Sequence, residues 1–309
     1  MVIHEGYENL NFDSPVVTLG IFDGVHRGHR FLLDRLISKA GENNGESVVI
    51  TFHPHPRLIL EKDSSRLLFL STFEEKILLL DKTGIGHLVI IEFNREFSMM
   101  KACDFVSKVL VGKVAAKYLI VGHDHHFGYR GEGNFDTIRN CAESSGIMVG
   151  QVGGFQYEGG TVSSSIIREE LLKGNPVKAN ELLGYCYSVK GIVIDGKKLG
   201  REIGFPTANI KLTDDHKLVP ADGVYAVEVA AGKDKYKGML SIGKNPTVNK
   251  GSAERSIEVN IFDFDKEIYG EEIGIIFRFR LRNEQKFSNL NQLSQQLELD
   301  KRNALQLLS

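Results

Sequence analysis

Two of the ten histidines, His26 and His29, stand three residues apart in GIFDGVHRGH (20–29), a spacing that lets both imidazoles address one anion. Gly24 and Gly28 in the same segment permit a tight turn and the close approach of a ligand to the backbone. A helix starting at Gly28–His29 would add unpaired N–H groups and the positive end of its dipole, which suits phosphate. Such groups attack nothing. They stabilise the charge that builds on a triphosphate as pyrophosphate departs, and losing one donor of this kind costs ~10²–10³ in rate. The plainer reading is two surface histidines on a loop, which the apolar run before them and the helical periodicity after them disfavour.

A second anion-binding element comes late in the same half, at VSSSIIREELL (162–172). Ser163, Ser164 and Ser165 would open a helix, with Arg168 one turn in, so that hydroxyls, orphan N–H groups and a guanidinium converge. Read alone, the segment is an ordinary helix cap with solvated Glu169 and Glu170; paired with the histidine motif it becomes a phosphate clamp. His53 and His55 follow an apolar run in TFHPHPR (51–57) and either face a ligand or, for His55, pack beneath the prolines. VGHDHHFG (121–128) also follows an apolar run. Imidazole and carboxylate suit zinc. Neighbouring loop residues point in different directions, however, and no ExxH pair supports His123, His125 and His126. A nucleotide-contacting loop, with Asp124 as the contact, is the stronger reading.

The second half carries a different set. GKKLGREIGFPTANI (196–210) is a basic, glycine-rich loop shaped by Gly200, Gly204 and Pro206, with Lys197, Lys198 and Arg201 able to cover phosphates. Thr207 and Asn209 are two apart, hence on one face of a strand, where a hydroxyl and an amide oxygen could hold Mg²⁺ bridging the phosphates of ATP. The plain reading of PTAN alone is an edge-strand turn, and no GxxxxGK[ST] loop occurs anywhere in the chain. RSIEVNIFDFDKEIYG (255–270) supplies Glu258, with Asn260 on the same strand face. A carboxylate beside an ATP site can accept the proton of a substrate hydroxyl, although a solvent-facing strand glutamate fits the same residue. LRNEQKF (281–287) would be a lid or a plain connection.

The apolar pattern supplies the elements that hold these groups. Runs at 16–22, 47–52, 87–93, 117–122 and 147–152 read as buried strands, alternating with amphipathic stretches at 29–40, 72–82, 98–110 and 134–145, the third capped by Ser98. That alternation predicts an α/β domain: a Rossmann-like parallel sheet with helices on both faces and ligands at the carboxyl ends of the strands. Short helices broken at Gly174-Asn175-Pro176 follow over 165–183. Beyond Gly184, polar–apolar alternation between Gly and Asp turns predicts a small antiparallel β-barrel, closed by a helix over 289–308 with Leu290, Leu293, Leu297 and Leu305 as its apolar face. The expected domains are therefore 1–183 and 184–309. With 309 residues, 42% hydrophobic and 25% charged, the chain has globular composition, and a formal charge of −2 excludes a strongly basic nucleic-acid binder. Nine histidines lie between His4 and His126 and only His216 beyond, so the two halves are expected to do different chemistry. Cys103, Cys141 and Cys186 form no CxxC pair and are expected to be buried apolar residues rather than a disulfide framework. No apolar run approaches the ~20 residues of a membrane span and the first residues lack a signal-peptide pattern, so the cytoplasm is the expected location, without membrane or nucleic-acid partners.

HxGH between a strand and a helix resembles the nucleotidyltransferase superfamily related to class I aminoacyl-tRNA synthetases, and GIFDGVHRGH resembles its flavin adenylyltransferases more closely. Adding VGHDHHFG, SSSIIR, GREIGFPTAN, DGVYAV, SIGKNPT, EVNIFDF and LRNEQKF in order, essentially the whole chain resembles the bifunctional bacterial riboflavin kinase/FAD synthetase family. The resemblance implies an adenylyltransferase domain followed by a flavokinase barrel, with riboflavin, FMN, FAD and ATP as substrates and products and Mg²⁺ as cofactor. It also implies that Thr207 and Asn209 bind Mg-ATP, that Glu258 activates the ribityl 5′-hydroxyl, and that Arg282 and its loop close over flavin. His26, His29, Ser164 and Arg168 would hold ATP while the FMN phosphate attacks the α-phosphorus. Four positions depart from the family pattern: His125 stands where an aromatic is usual, Ser165 for Thr, Asn245 for Arg and Asn260 for His. Two rival readings share these motifs: another nucleotidyltransferase fused to a flavin- or nucleotide-binding barrel, and a flavin-binding regulatory protein with vestigial catalytic residues.

Overall fold

The computed structural model describes residues 1–123, 127–196, 200, 203–244 and 255–309. The chain divides into two compact units, Met1–Ser164 and Ser165–Ser309, so the short helices of 165–183 are grouped with the second unit.

The first unit is built on a six-stranded sheet in the order β1-β4-β3-β2-β5-β6. Its strands are β1 (Val2–Glu5), β2 (Val16–Leu19), β3 (Ser47–His53), β4 (His87–Glu92), β5 (Tyr118–Gly122) and β6 (Met148–Val152). Every pairing in it is parallel. Alternate residues of the central strands feed two separate cores. Val17, Leu19, Val48 and Ile50 pack on one face beneath α4 (Ala102–Phe105, continued as a π-helical turn Val106–Val111) and α5 (Phe135–Glu143). Val16, Val49, Leu88 and Ile120 pack on the other beneath α1 (Arg27–Glu42) and α3 (Phe73–Asp81). Burial on both faces explains why these strands read as continuous Val/Ile runs. A short helix α2 (Pro56–Leu60) and a hairpin of β7 (Gln156–Tyr157) and β8 (Gly160–Thr161) complete the unit.

Expectation and structure part in several places in the first unit. β1 has no counterpart in the sequence reading; VIHE is short, largely exposed and an edge strand, and carries little apolar signal. Ser98 is not a helix cap: it lies within a 3₁₀ turn, Phe97–Met99, and α4 begins at Ala102 without a side-chain cap. The cysteines are not buried, Cys103 being exposed and the others half-buried. Cys103 and Cys141 are also joined by a disulfide, from α4 to α5, with Cα atoms 5.4 Å apart. Packing of those two helices brings together residues 38 apart in sequence, which spacing alone does not reveal.

The second unit opens with α6 (Ser164–Leu172, its first residue closing the first unit) and α7 (Pro176–Leu183), then a closed antiparallel barrel in the order β10-β13-β12-β11-β14-β9. Its strands are β9 (Ser188–Ile194), β10 (Ala208–Leu212), β11 (Gly223–Ala231), β12 (Asp234–Lys244), β13 (Arg255–Ile261) and β14 (Glu272–Arg282). Asn180 ties α7 to the barrel by donating to the Phe277 carbonyl (2.9 Å) and accepting from the Tyr187 N–H (2.7 Å). The final helix, α8 (Leu290–Leu307), buries Asp300 and Ala304, and Leu297 packs against Phe205, Met239 and Phe262. Leu290 and Leu305, expected on its apolar face, are exposed, because the inward stripe runs through Leu297, Asp300 and Ala304 instead.

Candidate active sites

In an open parallel sheet, ligands bind where neighbouring loops diverge at the carboxyl ends of the strands. Here the chain leaves β2 toward β3 and β4 and later returns to the other side of β2 as β5 and β6. The switch point therefore lies between β2 and β5, and GIFDGVHRGH follows β2 directly. The loop is strained and pinned. Phe22 and Val25 hold positive φ (54° and 35°) without being glycine, and Gly24 (φ 77°) supplies the one turn that glycine adopts freely. The buried Asp23 carboxylate accepts from the Leu70 N–H (2.9 Å) and the Ser71 N–H (3.1 Å), while the Gly24 N–H donates to Ser71 Oγ (3.0 Å). From the other side, the Ser164 hydroxyl donates to the Asp23 carbonyl (2.9 Å). The two phosphate elements expected from sequence, the histidine loop and the serine run, are thus joined through Asp23.

His26 is the N-cap of α1: its Nδ1 accepts the His29 N–H at 3.3 Å, which leaves the neutral ring's proton on Nε2. The two imidazoles stack, centroids 3.7 Å apart and 17° from parallel, so they face one site together. Burial, then the nearby His26 and Lys76, hold the His29 imidazole well below its ordinary pKa, so it works as a neutral donor. Among the described residues His29 Nδ1 is buried with no hydrogen-bond partner, an orphaned polar atom of the kind a ligand satisfies. Gly28 lies where an added Cβ would press on the His26 ring and the Val162 carbonyl, 3.1 Å from each.

The remaining histidines take different places. His53 ends β3 and stacks on Phe73 (3.8 Å), and burial followed by the Lys76 charge lowers its pKa. His55 caps α2, its Nδ1 accepting from the Arg57 N–H (3.1 Å), and stacks on Phe69 rather than packing under the prolines alone. Asp124, His125 and His126 lie outside the described residues, and among the described ones no cluster of three metal-ligating His, Cys, Asp or Glu side chains occurs. Arg168 falls in the second unit on α6, where its guanidinium donates to Ser165 Oγ (3.3 Å).

Two cavities of the barrel, as lined by the described residues, share one residue. The first, about 260 Å³, is lined by Thr207, Glu258, Asn260, Arg282, Phe287 and Leu297 among others. The second, about 390 Å³, is lined by Thr207, Val193, Phe264, Lys266 and Tyr269 among others. Strand register puts Asn209, Glu258 and Ser241 in one row across β10, β13 and β12, so their side chains share a face. The Asn209 amide fills the space that a Cβ at Gly196 would take. Gly200 bends the loop before β10, its carbonyl accepting the Phe205 N–H (2.8 Å), and a side chain there would collide with the Phe205 carbonyl. Asn260, where the sequence departs from family expectation, is buried and donates to the Pro206 carbonyl (2.6 Å), clamping the PTAN segment. Lys197, Lys198, Arg201 and Asn245 lie outside the described residues.

A family model described as FAD synthetase matches residues 9–166, and one described as riboflavin kinase matches residues 183–308. The bifunctional riboflavin kinase/FMN adenylyltransferase of Bacillus subtilis (strain 168) is 37% identical over 297 residues, covering 96% of this chain and 93% of its own. The chain belongs to the bifunctional riboflavin kinase/FMN adenylyltransferase family. The family's member from Escherichia coli (strain K12) is 35% identical over 304 residues, 97% of this chain and 96% of its own. A crystal structure named as a macrolide-efflux protein from Streptococcus pneumoniae matches 98% of both chains at 32% identity, with a TM-score of 0.88. That name is the other protein's; among the described residues here no helix is long and apolar enough to cross a membrane.

Within this family member, Arg282 lines the first barrel cavity but is already engaged. Its Nε and Nη2 donate to the Asp300 carboxylate (2.9 and 2.8 Å), which is 2% exposed and also accepts from Gln296 (2.9 Å). Sequence reasoning missed Asp23, Asp300 and the partner of Asn260. Each acts through a contact dozens of residues away or, for Asp300, across the barrel wall, and a lone Asp or Asn carries no local sign of that.

Proposed function

We infer that this chain makes FMN and then FAD: it transfers the γ-phosphate of ATP to riboflavin in the barrel, and adenylylates FMN with release of pyrophosphate at the sheet. The observation that carries the reading is the presence, in one chain, of two separate ligand sites, each with its own family model. We assign residues 1–183 to adenylyl transfer and 184–309 to phosphoryl transfer.

In the barrel, the base must touch the acceptor hydroxyl. Glu258 lines the first cavity and not the second, so riboflavin occupies the first and ATP the second, with the γ-phosphate at the shared Thr207. Glu258 takes the proton of the ribityl 5′-hydroxyl as its oxygen attacks the γ-phosphorus. Thr207, just before β10, and Asn209 within it offer a hydroxyl and an amide oxygen. That donor set suits Mg²⁺, which binds through few protein oxygens plus substrate phosphates. When bound, Mg²⁺ neutralises charge on the phosphates. Gly200, expected from sequence at the nucleotide, lines the first cavity and so stands with the flavin, and Arg282, fixed by Asp300, shapes the same end.

At the sheet, His26, His29, Gly24, Gly28 and Ser164 surround the ATP phosphates. The His26 Nε2–H and the α1 N-terminus donate to the leaving pyrophosphate, and neutral His29 adds a donor that needs no proton transfer. Asp124 contacts the nucleotide from the β5 loop. Riboflavin, ATP and Mg²⁺ incubated with the protein, with flavins resolved by chromatography, should yield FMN and then FAD. FMN alone would leave the sheet without its assigned activity, and the absence of either product would refute the reading.

A further inference from the structure

Lys76 has no task in the two-step scheme, yet it sits at the edge of the first unit's site. It lies in the first turn of α3, which opens at the carboxyl end of the sheet with a Thr72–Glu75 capping box. It is 7% exposed. Among the described residues its ammonium makes one hydrogen bond, to Thr51 Oγ1 near the end of β3 (3.2 Å), and lies over the Phe73 ring (5.2 Å). Its charge is felt by His29 on α1 and by His53 at the end of β3, and the Asp23 carboxylate feels it in turn. An ammonium withdrawn from water with one neutral partner has donors to spare and a desolvation cost that a bound anion would offset.

The place of Lys76 in the fold says which anion. His26 and His29 follow β2, on the β2–α1 loop and the start of α1, whereas Thr51 and Lys76 belong to β3, the neighbouring strand, and to α3. In-line displacement requires the attacking group to approach the α-phosphorus opposite the departing pyrophosphate. With the triphosphate held by His26 and His29 after β2, an acceptor anion held by Lys76 beside Thr51 would approach from β3.

We propose that Lys76 binds the phosphate monoester of the acceptor substrate and aims it at the α-phosphorus, an assignment that rests on the FMN-adenylylating reading above. A phosphate oxygen of FMN forms the new O–P bond. The bond from the α-phosphorus to the bridging oxygen breaks, its electron pair leaves with pyrophosphate, and Lys76 keeps its proton throughout. Thr51 orients the ammonium, and Phe73 and His53 wall the approach.

Lys76→Met tests this in the full chain, because it keeps the buried volume while removing the charge. With ATP saturating, the KM for FMN should rise about 10- to 100-fold, the range of a lost hydrogen bond to a charged group. The KM for ATP should stay within about threefold, and kcat at saturating FMN within about fivefold. Lys76→Arg, which keeps the charge, should hold the FMN KM within about tenfold. Three results overturn the assignment: an unchanged FMN KM in the methionine variant, an ATP KM that rises alone or in step, or an arginine variant as impaired as the methionine one. If the methionine variant loses its thermal transition, the arginine variant decides by the same contrast of FMN against ATP. Failure of the underlying reading looks different, because the unaltered chain would then make no FAD from supplied FMN, and the assignment would fall with it.

Discussion

At the scale of single residues, the two reactions ask different things of their side chains. In the proposed scheme Glu258 moves a proton, so its loss should be severe and local. Glu258→Ala should cut FMN formation by about 10²–10⁴ while FAD formation from supplied FMN continues, which a flavin chromatogram with each substrate in turn would resolve. His29 is proposed as a neutral donor, and His29→Ala should lower FAD formation by about 10²–10³ and leave riboflavin phosphorylation intact. The same neutrality shapes the pH response. His29 is already uncharged near pH 7, so the acid side of the FAD profile should owe little to it. The basic side belongs to Lys76, whose pKa burial lowers to about 8 against the opposing pull of Asp23. His29, His53 and Glu74 are the other titratable groups within reach of its site. The charged form holds the anion, so kcat/KM for FMN should fall as pH rises through about 8. The kcat profile should fall later, because bound phosphate stabilises the ammonium. A kcat/KM profile flat to pH about 10 would refute this assignment of the limb.

At the scale of elements, each proposed site is braced by a carboxylate held among protein donors. Asp23 fixes the β2–α1 loop to the segment before α3 and lets Ser164 close on the same loop. Asp300 on α8 fixes Arg282 at the end of β14. Removing one partner of such a buried pair strands the other, at about 3–5 kcal/mol. Asp300→Ala should therefore lower the unfolding temperature of the second unit and depress FMN formation, measured by calorimetry alongside the riboflavin assay. The core strands and most helices were legible because a side chain's burial repeats every two or 3.6 residues whatever lies elsewhere in the chain. The histidine motif and the serine run were legible because helix starts and tight turns are local. What could not be read depends on partners far along the chain: Asp23 and Leu70 are 47 residues apart, and Asn260 and Pro206 are 54 apart. The apolar face of α8 was misread because Asp300, a charged residue, takes a core position that a leucine count assigns elsewhere.

At the scale of the whole molecule, one family model matches the earlier part of the chain and another the later part, and in the proposed scheme the product of one is the substrate of the other. If FMN leaves the barrel before it is adenylylated, a mixture of Glu258→Ala and His29→Ala chains should convert riboflavin to FAD, although neither does so alone. A mixture that stops at FMN would show that the intermediate is not exchanged between molecules. Chelation of Mg²⁺ should halt both steps in the unaltered chain, with activity restored by adding the ion back. The two barrel chambers have Thr207 as their common wall. A single compound carrying an isoalloxazine at one end and an adenosine at the other, tethered through the ribityl chain and a polyphosphate, would span both chambers at once. It would have to run past Thr207, and a bulkier side chain there should weaken its binding together with that of ATP.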